Sequence, residues 1–204
     1  MSQLTDIIFL LYQFQEEDVD DIARRLAERM KATWVNTLTD LAGTHGCKRY
    51  ASTPKGEYAK TLTKQATVDA QSIVNTYNRE LRNQIERLYK ANPKGNRSYY
   101  FSNLEKWNTK RDGYKAYQIA LATDSYARQY AQQQFYMHNL QLARSFAASG
   151  PPAVCKICIM IFAAGIVNFE YTQSHPLPAH YQCPHLYKVL TPIKANCQLL
   201  WLGG

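Results

Sequence analysis

The sequence predicts a mainly α-helical fold in which long helices are followed by a small β-hairpin unit. Two long segments carry apolar residues at intervals of three and four positions, which is typical of amphipathic helices. A short region near the C-terminus instead combines Gly, Pro, Cys and His with brief apolar runs. With 204 residues and 46 % hydrophobic content, the chain can form one domain or one piece of an elongated assembly.

The first predicted helix follows an acidic cluster at residues 16–21. Acidic side chains are favourable at a helix N-terminus because they complement the helix dipole. The apolar residues of its stripe are Val19, Ile22, Leu26, Met30, Trp34, Leu38 and Leu41. Gly43 and Gly46 predict its end, and residues 44–55 are predicted to form a loop. His45 and Cys47 could be half of a metal site, but no partner pair is near in sequence, so we interpret them as loop residues.

The second helix is predicted over residues 56–91. Its stripe contains Tyr58, Leu62, Ala66, Ile73, Tyr77, Leu81, Ile85 and Leu88. Asn92-Pro93 and Gly95 predict its end. At a rise of about 1.5 Å per residue, this helix is roughly 50 Å long. It must therefore pack along other helices or along a partner.

A basic segment with interleaved aromatic residues spans residues 92–115. Its candidate nucleic-acid contacts are Lys94, Arg97, Lys110 and Arg111. Basic residues with aromatics can bind a nucleic-acid strand through phosphate contacts and stacking. The segment can also be a solvated connector that its aromatic residues anchor to the helices. We favour the connector because the segment is short and contains Glu105 and Asp112.

The third helix is predicted over residues 112–147. Asp124 falls inside its apolar stripe, so we expect this acid to pair with an arginine or to face a polar layer. His138 is interpreted as a hydrogen-bonded histidine at the edge of the core. Gly150-Pro151-Pro152 ends the helix, because proline cannot continue it.

The strongest chemical motif in the chain is a metal-ligand pattern. Cys155 and Cys158 form a CxxC, and His180 and Cys183 form an HxxC that follows after 21 residues. Two such pairs can complete the tetrahedron that zinc prefers, and four protein ligands make one closed, structural site. His185 is a spare candidate, and His175 is a weaker one. Alternatively, the CxxC residues are buried apolar side chains or a redox pair, although the βαβ context of redox pairs is missing.

Around this pattern the sequence predicts a small zinc-stapled β-hairpin unit. Residues 159–171 are interpreted as two short strands around Gly165, followed by an extended loop that leads to His180. Such a unit is too small for a proper core, so metal would supply much of its stability. The apolar tail at 194–204 is expected to dock on the protein or on a neighbour. The predicted divisions are a helical region with the basic connector at 1–113, a long helix at 114–150, the zinc unit at 151–193 and the tail.

Composition and missing motifs narrow the function further. The net charge of +8 favours contact with nucleic acid or an acidic protein surface, and fifteen tyrosines favour interfaces. An odd number of five cysteines argues against a disulfide framework, and we expect folding in a reducing cytosol. The apolar run at residues 7–12 is too short to span a membrane. Without a phosphate-binding loop, a GxSxG or an HExxH, we predict no enzyme activity and no small-molecule substrate.

The C-terminal half resembles the Mu F-like family of phage head morphogenesis proteins, also called minor capsid proteins. The resemblance rests on the helix stretch AYQIALATDSYARQYAQ, on the CxxC and on the ending LPAHYQCPH, and it covers residues 116–192. Thr123-Asp124 stands where the family has Thr-Glu, and the arginine of the family stretch is replaced here by Leu121 or Ala122. His185 takes the place of a second cysteine.

The resemblance implies a minor head component that assembles in the host cytoplasm and becomes part of the virion. Its partners would be the portal protein, the major capsid protein or both, and possibly the packaged DNA. The implied metal ligands are Cys155, Cys158 and Cys183, with either His180 or His185 as the fourth. The alternative function is that of a zinc-containing DNA-binding protein, which is suggested by the positive charge and the basic segment.

Overall fold

The computed structural model describes residues 19–47, 53–139, 145–179, 183 and 185–190, without the side chains of residues 112–118. The described part of the chain is mainly helical, at 74 %. Its elements in chain order are α1 (Val19–His45), α2 (Gly56–Ala91), α3 (Arg97–His138), β1 (Phe146–Ser149), α4 (Lys156–Ala163), β2 (Ile166–Val167), α5 (Phe169–Ser174) and β3 (Leu186–Val189). None of the described helices is long and apolar enough to cross a membrane.

The main core forms where α1 packs against both α2 and α3. Trp34 of α1 is fully buried, and its ring centroid lies 5.4 Å from that of Tyr58 and 5.2 Å from that of Tyr130. Small side chains let the helices approach closely around these rings. The buried alanines of this core include Ala66 and Ala70 of α2 and Ala127 and Ala131 of α3.

Beyond this core, α2 and α3 continue as a two-helix hairpin that we call the helical arm, residues 77–111. Its buried side chains are Tyr77, Leu81, Ile85, Leu88, Tyr100 and Leu104. In the described part of the chain, α1 and the C-terminal sheet contribute no residue to this second core. Asn96 caps α3 at the turn, where its side-chain oxygen accepts a hydrogen bond of 2.9 Å from the backbone N–H of Tyr99.

The C-terminal unit is built on a three-stranded antiparallel sheet with the order β2-β1-β3. Phe146 of β1 is buried and packs edge-to-face on Tyr136 near the end of α3, at 5.2 Å between centroids. The backbone N–H of Tyr187 in β3 donates to Oε1 of Gln129 at 3.4 Å. The sheet therefore packs against the C-terminal half of α3.

The predicted fold class is confirmed, with long N-terminal helices followed by a small antiparallel sheet. The predicted bounds of α2 are also those observed. The prediction of a loop at 44–55 was wrong at its start, because α1 continues to His45. The prediction of a connector at residues 92–115 and the prediction that the third helix starts at residue 112 were wrong too. α3 begins at Arg97, since the Asn96 cap precedes the segment and Gly113 does not interrupt the helix.

The two strands predicted within 159–171 are instead α4, β2 and α5. The isoleucine-rich run looked like a strand because β-branched residues favour strands. A helix forms there because Cys155 caps it, and because Cys158 and Ile161, three positions apart, turn one face inward. Gly165, with φ of 67°, adopts the left-handed conformation that follows the helix end. The predicted extension of the third helix to 147 was wrong as well, because residues 146–149 pair as β1.

Asp124 was expected to pair with an arginine or to face a polar layer, and it pairs with Arg29 of α1. The guanidinium donates through Nε and Nη2 to the two carboxylate oxygens, at 2.9 and 2.7 Å. Thr33 donates to the same carboxylate at 3.0 Å. The acid in the stripe therefore links α3 to α1.

Two of the predicted division boundaries fall within connected parts of the structure. α3 runs through the boundary between residues 113 and 114, and the sheet joins β1, before residue 150, to β2 and β3 after it. The tail at 194–204 lies outside the described residues. Cys47 is disulfide-bonded, although the odd number of cysteines argued against a disulfide framework.

Candidate metal centre

The first half of the centre is formed by the turn that leads from β1 into α4. Cys155 is the N-cap of α4, with extended φ and ψ of −93° and 149°. Its Sγ accepts a hydrogen bond of 3.3 Å from the backbone N–H of Cys158. The CxxC spacing thereby places both thiols at the start of one helix.

The second half is formed by the residues that lead into β3. His185 directly precedes Leu186, the first residue of β3, and Leu186 pairs with Ser149, the last residue of β1. Antiparallel pairing brings the end of one strand to the start of the other. The register of this sheet therefore brings Cys183 and His185 to the end of β1, from which the CxxC turn departs.

Three donor atoms converge at this place. Cys158 Sγ lies 3.5 Å from Cys183 Sγ, and Cys183 Sγ lies 3.4 Å from Nδ1 of His185. All three donor atoms lie within 4.8 Å of one another, and all three residues are buried. This group, with Cys155 nearby, could hold a metal ion.

The orientation of the His185 ring is set by the backbone. Nε2 lies 2.9 Å from the carbonyl oxygen of Pro151. Because a carbonyl only accepts, Nε2 carries the proton, and the lone pair of Nδ1 faces the thiols. A backbone carbonyl that orients a histidine in this way is usual at metal sites. Phe162 packs edge-on against the ring at 4.9 Å between centroids and holds it in place.

The buried thiols of this group are unfavourable as free thiolates and would be stabilised in that form by a bound cation. Burial raises the pKa of the Cys158 thiol, and hydrogen bonding with Cys155 and Cys183 raises it further. Negative charge on these sulfurs is therefore unfavourable without a neighbouring cation. A bound metal ion reverses this situation, because its charge deprotonates coordinating thiols.

The structure brings together three of the five predicted metal-site residues, Cys158, Cys183 and His185, and places Cys155 nearby. His180 lies outside the described residues. His175, the weaker candidate, stacks on Tyr171 at 4.1 Å between ring centroids. Its Nδ1 lies 3.0 Å from the hydroxyl of Ser174, so it serves local packing.

His45 and Cys47 lie at the end of α1. His45 is buried, and its Nε2 lies 2.9 Å from the hydroxyl of Tyr136. Its ring also stacks on Phe135 at 5.6 Å between centroids. This histidine therefore has a packing role between α1 and α3.

The four predicted nucleic-acid contacts lie on the helical arm, but they differ in exposure. Lys94 in the turn, Arg97 at the start of α3 and Lys110 are exposed. The side chain of Arg111 is only 9 % exposed, and its Nε donates to Glu80 at 2.8 Å. Its guanidinium also lies 4.5 Å from the centroid of the Tyr77 ring. Arg111 therefore joins α2 to α3.

Sequence reasoning missed the carbonyl of Pro151 as the group that orients His185. The only available signal was the Gly150-Pro151-Pro152 turn, which was interpreted as a helix stop. Gly150 has φ of 146°, a conformation that favours glycine. The turn therefore also directs the chain from β1 past His185.

No family model, no curated protein and no solved structure matches this chain.

Proposed function

We propose that this protein is a non-enzymatic component of a phage head, a minor capsid or head morphogenesis protein with one structural zinc ion. The observation that carries the proposal is the meeting of two distant segments. The CxxC and the ending LPAHYQCPH are two of the three stretches on which the resemblance to the Mu F-like family rests. A shared metal function requires them to meet, and the donors of Cys158, Cys183 and His185 lie in one cluster.

Zinc is the metal that this donor set suits best. Thiolates and imidazole are the usual ligands of structural zinc, at about 2.3 Å for sulfur and about 2.0 Å for nitrogen. A tetrahedron with those bond lengths has edges of about 3.8 Å between two sulfurs and about 3.5 Å between sulfur and nitrogen. The corresponding separations here are 3.5 and 3.4 Å.

We propose Cys155, Cys158, Cys183 and His185 as the four ligands. His185 is preferred over His180 because its Nδ1 faces the thiols and its Nε2 is bound to a backbone carbonyl. Four protein ligands leave no open position for substrate or water, so this zinc would stabilise the fold and would not catalyse a reaction.

The C-terminal unit is also the proposed docking element for the portal protein or the major capsid protein. Among the described residues, eleven large hydrophobic side chains are exposed, and six of them lie between 154 and 190. They are Val154, Ile157, Ile159, Met160, Ile166 and Leu190. A concentration of exposed apolar side chains is typical of protein interaction sites.

Two experiments test this proposal. Mass spectrometry of purified virions from the phage or prophage that encodes the chain should find it at a few copies per particle. Absence from particles, proheads and lysate complexes would contradict a role in the head.

The docking element is tested by capture of the purified portal and major capsid proteins. Val154→Asp and Ile166→Asp, at positions 91 % and 71 % exposed, should weaken capture, as should the double variant Cys155→Ser, Cys158→Ser. Val68→Asp, at a position 55 % exposed on α2, is the matched control and should not. Equal capture by all variants would show that the C-terminal unit is not the docking element.

A further inference from the structure

We infer that the helical arm is a binding surface for double-stranded DNA that contacts the phosphate backbone without reading sequence. Residues 77–111 contain nine Lys and Arg against three Glu, so the arm carries a net charge of +6 out of +8 for the whole chain. A segment of about one sixth of the chain thus holds most of its excess positive charge.

The folded arm extends the basic surface beyond the segment that is basic in sequence. The α2 half of the hairpin brings cations next to those of the turn and of α3. Seven of the cations are exposed and form no ion pair within the described residues: Arg79, Arg82, Arg87, Lys90, Lys94, Lys106 and Lys110. Exposed cations of this kind can exchange counterions for phosphates.

Three aromatic rings of the arm are occupied by its own packing, whereas Tyr89 and Phe101 are 39 % and 38 % exposed. Tyr100 is buried in the arm core, and Trp107 packs against that core beside Tyr77, at 6.1 Å between ring centroids. Arg111 lies over the rings of Tyr77 and Trp107. These three rings are therefore not available as stacking platforms, on which single-strand binding depends.

The dimensions of the arm suit a short length of duplex. From Tyr77 to Ala91 the α2 half is about 22 Å long, at about 1.5 Å per residue. A duplex turn is about 34 Å, so the arm spans roughly two thirds of a turn. Its charge selects nucleic acid over apolar partners, and lysine and arginine contacts to phosphates position a protein on the duplex without reading sequence.

The test is fluorescence anisotropy of the full-length protein with a labelled duplex of arbitrary sequence, about three helical turns long, at about 50 to 200 mM salt. The arm variant is Lys90→Gln, Lys94→Gln, Lys110→Gln. The control variant removes the same charge from exposed positions elsewhere, as Lys64→Gln, Arg128→Gln, Lys188→Gln. Circular dichroism checks that both variants keep the helical content of the wild type.

We expect the arm variant to lose more than about tenfold in affinity at about 100 mM salt and to reduce the slope of log K against log salt by about 2 to 3. The control variant should retain affinity within a few-fold, and a single strand of equal length should bind more weakly than the duplex. The inference is overturned by equal losses in both variants, by tighter binding of the single strand or of polyglutamate, or by no binding at the lowest salt concentration.

Discussion

Zinc removal is the perturbation that most directly tests the C-terminal unit. A ligand that binds only the folded state stabilises it by about 4.1 kcal/mol when its free concentration is about 1,000 times Kd. For a chain of about 150–250 residues, 1 kcal/mol corresponds to about 2–4 °C in Tm. A strong chelator should therefore lower the Tm of the zinc-loaded protein by about 8–16 °C.

The structure predicts where this loss originates. Cys158 and Cys183 are completely buried at the junction of β1, α4 and β3. Without the ion, the three thiols and one imidazole of the proposed ligands remain there, and the segments that carry them lose their shared attachment. Because Cys158 and Cys183 belong to the same buried cluster as the core residues of α1, α2 and α3, loss of the ion should lower the melting transition of that whole core.

The assay is thermal unfolding by circular dichroism, with zinc content measured by mass spectrometry, for the wild type and for Cys158→Ser. The variant should bind less than one zinc per chain, melt lower than the zinc-loaded wild type and respond little to chelator. A lower Tm in the variant, combined with an unchanged wild-type Tm after chelation, would indicate that Cys158 acts by packing alone. Wild-type protein that contains no zinc after expression in zinc-rich medium would refute the ligand assignment.

Three further predictions concern the helices and are measured by urea unfolding. Burial raises the pKa of the Asp69 carboxyl above its ordinary value. The folded state therefore loses stability as pH rises from the ordinary carboxyl pKa to the raised one, and it regains that stability as pH falls. Asp69→Asn, which keeps an acceptor for Gln65, should therefore stabilise the protein by about 1 kcal/mol at neutral pH and lose this advantage in acid. A gain that does not change with pH would contradict the burial argument. Asp124→Asn should lower the free energy of unfolding by about 1 kcal/mol at low salt and by less at about 1 M salt, because its ion pair with Arg29 is partly exposed. A loss of stability that does not change with salt would contradict this. Asn96→Ala should cost about 1 kcal/mol by removing the cap of α3, whereas Asn96→Asp should be nearly neutral; equal costs would argue against the cap.

The long helices could be predicted because their signals are local. α2 has a long apolar stripe and a clear stop at Asn92-Pro93, and both of its ends were predicted correctly. The start of α3 was missed because the segment after Asn96 is rich in charges and aromatics and lacks a clean stripe. Part of its pattern packs on the arm core and part on α1, so no single periodicity describes it.

The candidate metal centre was only partly predictable, because some of its determinants are local and others are not. The CxxC spacing predicted that the thiols of Cys155 and Cys158 lie close together, because two thiols in one turn are a local property, and the structure places Cys183 beside Cys158. The position of His185 beside the thiols depends on the pairing of β1 with β3 and on the carbonyl of Pro151, which are tertiary features. The helix at 156–163 was missed because its capping group is a cysteine thiol, which is not among the usual N-cap residues.

The presence of two separate buried clusters along α2 has a consequence for hydrogen exchange. Ile73 packs in the main core, and Tyr77, one turn later, packs in the arm. Amides that exchange by opening of the arm need to break only the contacts of six described buried residues. Backbone amides near Ile85 should therefore exchange faster than those near Leu62, although both belong to one continuous helix. A single helix would then report two cooperative units of different stability.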